Sequence, residues 1–161
     1  MSMDLALPLV MRWMHVLSAV ISAGGIVFLG FVLLPAAKND SALMNAVLKK
    51  WRMIFHPLII LFLVSGFYNY LKVTSPKHDG QALYHALFGM KFLLALAYFV
   101  LGIALTSTRA YGERLRKNSR VWAAIVLVTF ATIMLGGVMK VMPSAAATAA
   151  ATPSAGATPG E

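Results

Sequence analysis

Four apolar runs, residues 13–34, 54–71, 82–105 and 121–141, limit the solvents in which this chain can fold. Each approaches or exceeds the ~20 residues that a helix needs to cross a ~30 Å hydrocarbon core. With 60% hydrophobic and 12% charged residues among 161, the chain carries more apolar surface than a water-soluble domain of this size can hide. Lipid must take up the excess. The expected fold is therefore an all-α membrane protein, a four-transmembrane-helix bundle that forms one domain over residues 1–142. Its spans are expected at about 9–34, 54–72, 82–106 and 121–141.

The formal charge of +9 matters less than where the charges lie. Lys38, Lys49, Lys50 and Arg52 fall between the first two runs, and Arg109, Arg114, Arg116, Lys117 and Arg120 between the last two. Cytoplasmic loops carry the excess of Lys and Arg, which predicts both basic segments inside and both termini outside. The basic excess is a topology signal with some attraction to anionic lipid. Nucleic acid is excluded as a partner, because groove-reading and base-stacking motifs are absent. The absence of cysteine excludes disulfides, thiolate metal sites and covalent c-type haem attachment. Met1–Pro8 has no basic region and the run after it is too long for a signal core, so the first helix is expected to be retained.

Between the first two spans, Asp40 or Ser41 can cap a short amphipathic helix, with Leu43, Met44, Val47, Leu48 and Trp51 at helical spacing against Lys49, Lys50 and Arg52. This helix is expected on the cytoplasmic interface, with a bend at His56-Pro57 where it feeds into the second span. Lys72 to Gly80 reads as the outer loop, and the Ala/Thr/Pro-rich tail 143–161 as disordered.

Lys91 stands in the third run with no Asp or Glu in any run to neutralise it. A lone ammonium in hydrocarbon costs at least ~2.5–3.5 kcal/mol, which makes it a candidate functional residue that requires an anion, carbonyls or water. With the termini outside, the first and third spans run inward, and His15 and His85 each fall three or four residues into a span. They are expected at one level near the outer face, where two imidazoles can hold haem iron or copper. His56 is expected most of a membrane away, and His78 lies in a loop with no assigned role. From His15 a strip of small residues, Ser18, Ala19, Ser22 and Gly25, suits close helix contact first and a flat ligand second. Arg12 lies one turn outward of His15, and Lys91 about 9 Å deeper than His85, its side chain leaning outward.

Arg12 and Lys91 oppose a bare copper ion and favour haem b, whose propionates are anionic. On this reading His15 and His85 ligate the iron while Arg12 and Lys91 neutralise the propionates. Eight methionines in the outer half, Met1, Met3, Met11, Met14, Met90, Met134, Met139 and Met142, keep copper binding or import as the alternative, and a structural membrane subunit without cofactor is a third. No Ser-His-acid order, phosphate loop or carboxylate pair is present, so any catalysis is expected to be redox and carried by a cofactor.

The series Arg12-Trp13-Met14-His15, Gly24-Gly25 and Pro35, then Ser65-Gly66-Phe67-Tyr68 and Gly89-Met90-Lys91, resembles the copper-resistance protein D family over Met11 to about Arg120. The tryptophan often found before the glycine pair is missing, and four spans are fewer than many members have. The outline is also similar to HemJ-like protoporphyrinogen oxidases, which bind b-type haem and carry a first-helix histidine, although Gly89 replaces the histidine usual two places before the lysine. These resemblances imply a multi-pass protein of the inner (plasma) membrane, in contact with lipid, with a redox partner or other membrane subunits.

Overall fold

The computed structural model describes residues 3–151, which are helical apart from short connections. Helix α1 (Met3–Phe28) continues through a π-helical turn, Leu29–Leu33, into the short α2 (Leu34–Ala36). The wider turn falls just before Pro35, whose ring has no N–H to give to the preceding turn. Helix α3 (Ser41–Tyr68) starts on the Asp40 side chain, which accepts from the Leu43 N–H at 2.8 Å. A π turn (Asn69–Thr74) and a 3₁₀ turn (Ser75–His78) lead to α4 (Ala82–Leu105). Then follow α5 (Ala110–Arg116), α6 (Ser119–Val141) and α7 (Ala145–Ala151). Four of these stretches are long and apolar enough to span a bilayer, and the chain is a multi-pass membrane protein.

Two expectations from the sequence are corrected. The amphipathic segment is not a separate helix: α3 runs unbroken from Ser41 through Pro57 to Tyr68. Proline removes one backbone donor and crowds the preceding turn, but the His56 Nδ1–H donates to the Arg52 carbonyl at 2.7 Å and supports that turn from the side. In the tail, residues 145–151 form a helix in place of the expected disorder. The alanine run has high helix propensity, the Ser144 hydroxyl accepts from the Ala147 N–H, and Gln81 ties the segment down through Pro143 and Thr148. The remainder, 152–161, lies outside the described residues.

The helices associate mainly as two pairs, α1 with α3 and α4 with α6. Aromatic rings join the pairs: Phe55 meets Tyr98 and Phe99 edge-on, Phe62 meets Phe99, and Phe67 meets Phe88 and Phe92. Between lipid-solvated helices such contacts hold by close packing, because lipid tails are as apolar as leucine. The packed core lies at the end of the bundle that carries the basic loops, with Ile26, Leu29, Leu48, Phe55, Tyr98, Phe99, Leu105 and Ile125 buried together. There Arg116 donates to the Leu105 and Ser107 carbonyls and closes the end of α4. Large outward side chains such as Val20, Phe31, Ile60, Val100 and Leu127 are exposed, as lipid-facing positions should be.

Glycine fixes the α1–α3 approach. A Cβ built on Gly25 would run into the Trp51 ring, whereas one on Gly24 meets nothing within 4 Å. Gly25→Leu is expected to cost ~1–3 kcal/mol of stability by overpacking, with Gly24→Leu close to neutral. Thermal unfolding of both variants in detergent checks this, and equal midpoints would show that the contact is not limiting.

Candidate functional site

Away from this core the four long helices splay. A cavity of about 670 Å³ opens between them near the end that carries the chain termini. The packing just described explains it: α3 and α4 are held apart there by Phe62, Phe67, Phe88 and Phe92, while α6 offers Gly136 and Gly137. The volume falls within the ~300–1,000 Å³ usual for small-molecule and cofactor sites.

His15 projects from α1 onto α3. Its Nδ1–H donates to the Phe62 carbonyl at 3.0 Å, with the Ser65 hydroxyl oxygen at 3.4 Å, and its ring lies 4.1 Å from the Phe62 ring. A carbonyl can only accept, so Nδ1 carries the proton and Nε2 keeps its lone pair. Gly66 makes this seat possible: a Cβ there would stand 2.9 Å from the imidazole. Metal-bound histidines are commonly oriented in this way, one nitrogen tied to a carbonyl and the other left for the metal.

Lys91 reaches from α4 across to α6, where its Nζ would be 2.9 Å from a Cβ on Gly136. It lies within electrostatic range of His15. Arg12, Lys77 and Lys140 line the same cavity, giving four cations and no carboxylate among the lining residues. The one ion pair among the described residues, Lys117 with Glu113, belongs to the basic-loop end.

Arg12, His15 and Lys91 thus face one space, but His85 does not line it. His85 Nδ1 pairs with the Tyr70 hydroxyl at 2.6 Å. With the phenol assigned as donor, Nε2 carries the proton and presents no lone pair. The expected common level of the two imidazoles fails for a reason of helix length. Helix α1 starts at Met3, so His15 lies about 18 Å along it, while His85 lies about 4.5 Å into α4. Their partners on the α3 side, Phe62 and Tyr70, are eight residues apart, or about 12 Å. Lys91, about 13.5 Å into α4, is the residue that reaches the His15 level.

His78, Lys77 and Lys140 join the cavity without a signal in the sequence that assigns them to it. His78 is 7% exposed and lines the cavity, its ring stacked 3.7 Å from Tyr84. Its Nδ1–H donates to Gln81 Oε1 at 2.6 Å. The only local clue was a glutamine three residues later, the spacing at which side chains meet across one helical turn.

As a test of fit, the residues suit haem: one imidazole with a fixed ring and an available nitrogen, aromatic walls, and cations for two carboxylates. A bare copper ion suits them less. Four cations raise the potential, Met139 is the one thioether in the lining, and His78 sits at the Tyr84 level, about 10 Å along α4 from Lys91. Comparison with family models, with curated proteins and with solved structures finds no match to this chain.

Proposed function

We propose that this chain binds b-type haem in the splayed half of the bundle and serves as a membrane redox protein, in electron transfer or haem-linked oxidation. What carries the reading is the His15 seat, an imidazole locked through Nδ1 with its second nitrogen available, inside a largely apolar cavity whose charged lining residues are all cations. His15 would ligate the iron, and Arg12 and Lys91, joined by Lys77 and Lys140, would neutralise the propionates. Bound haem supplies one-electron chemistry at iron. The chain's own contribution is to fix the ligand ring, exclude water with Phe62, Phe88 and Phe92, and balance charge that would otherwise be costly at this depth. His85 enters through Tyr70, at the rim, and not as a ligand.

The basic loops support an orientation with both termini outside, in the inner (plasma) membrane, which places the cavity in the outer half. Purified in mild detergent, the protein should show a Soret band that shifts on dithionite reduction, with iron and no stoichiometric copper on metal analysis. Colourless protein carrying copper would reverse the assignment.

Lys91 gives a second check. Lys91→Met is expected to weaken haem binding by ~10–100-fold, the worth of a charge-assisted contact of ~1.5–3 kcal/mol. It should leave the haem-free protein as stable or more so, since an uncompensated cation has gone. Haem titration beside thermal unfolding separates the two effects. Unaltered affinity would remove Lys91 from the site.

A further inference from the structure

A second cavity, of about 730 Å³, opens at the opposite end of the bundle, on the lipid-facing side of α3. Asn45, Lys49, Arg52, Met53 and His56 line it from α3, and Thr108 from the connection after α4. The α3 residues recur at i, i+4, i+7, i+8 and i+11, so they form one helical face. The His56 Nδ1–H is spent on the Arg52 carbonyl, which leaves Nε2 for another partner. Arg52 Nε is buried and makes no hydrogen bond to the described residues.

No carboxylate lines the groove, and Glu113 on the neighbouring α5 is already paired with Lys117 at 2.8 Å. From Met53 an exposed apolar stripe, Ile60 and Val64 on α3 and Leu71 in the π turn after it, continues toward the other end of the bundle at spacings of seven and four residues. Two cations, an imidazole and a hydroxyl thus cap an apolar track where the helix enters the hydrocarbon. An anionic group attached to an acyl chain matches both parts, and a soluble anion matches only the first.

We propose that this groove is a binding site for an anionic phospholipid: its phosphate lies between Lys49 and Arg52, His56 and Thr108 hydrogen-bond the headgroup, and an acyl chain follows Met53, Ile60 and Val64. Guanidinium and ammonium donors are the usual phosphate partners, and basic pockets between spans favour anionic headgroups. The site is independent of the haem cavity, which lies at the far end.

The full chain, delipidated in detergent, would be titrated with phosphatidylglycerol, phosphatidylcholine or inorganic phosphate and followed by native mass spectrometry and thermal shift. Phosphatidylglycerol should bind and raise the unfolding midpoint, and the other two should not. K49Q/R52Q should weaken phosphatidylglycerol binding by about 30-fold, at roughly 1 kcal/mol per basic residue, whereas K38Q should not. Equal binding of phosphatidylcholine, or an equal response to inorganic phosphate, overturns the proposal in the wild-type protein, whatever the variants do. Unchanged binding by a folded K49Q/R52Q overturns the location.

Discussion

His15→Ala is expected to lower haem affinity by at least ~100-fold, because loss of an outer-shell partner alone commonly costs 10–100-fold in metal affinity and this change deletes the ligand itself. The fold should survive it. His15 is not among the residues of the packed core, and the Phe62 carbonyl that accepts from its Nδ1–H lies inside α3, where the helix supplies a backbone donor as well. His85→Ala is expected to change haem affinity by no more than about twofold, as for a substitution away from the site, with Tyr70 losing its partner at the rim. Haem titration of both variants in detergent, read at the Soret band, gives the comparison. If the His85 variant loses haem and the His15 variant keeps it, the cavity has been assigned to the wrong imidazole.

The second large effect belongs to stability. Phe55 is fully buried and touches Trp51, Tyr98 and Phe99, so it links the α1–α3 pair to α4 in the tight half of the bundle. A Cβ on Gly102 would stand 2.6 Å from its ring, so α4 is shaped around it. Phe55→Ala is expected to cost ~3–5 kcal/mol. Lipid is itself apolar, so the loss comes from forfeited contacts and an unfilled hole more than from wetting, and the lower part of that range is expected. At the usual scaling the thermal midpoint should fall by on the order of 10 °C. Phe130→Ala on the exposed face of α6 should stay within ~0.5 kcal/mol of wild type. Equal midpoints for the two variants would mean that the basic-loop end is not what holds the helices together.

Much of this architecture can be read in the sequence, because lipid imposes a simple rule on apolar runs. Residues 82–105 and 121–141 were expected as spans, and α4 and α6 match them within two residues at each end. Depth was harder to read. Counting from the start of an apolar run puts His15 and His85 level, but α1 begins at Met3, before its run, so His15 sits several turns deeper. Pro57 gives a separate helix and span in the sequence, whereas α3 continues through it from Ser41 to Tyr68. Lys91 stood out for its cost alone, and the glycine beneath it, Gly136, has meaning only once α6 is placed against α4. His78 was invisible as a cavity residue because its burial depends on stacking against Tyr84 across a turn.

If His15 Nε2 is the atom that this cavity offers to iron, an imidazole supplied from outside should replace the side chain. His15→Gly removes the imidazole and leaves a hole of its size beside Phe62. In the presence of haem, the variant should lack the wild-type spectrum and regain it when free imidazole is added, while Lys91→Met should show no such rescue. A His15→Gly protein that keeps the wild-type spectrum without imidazole would rule out His15 as the ligand.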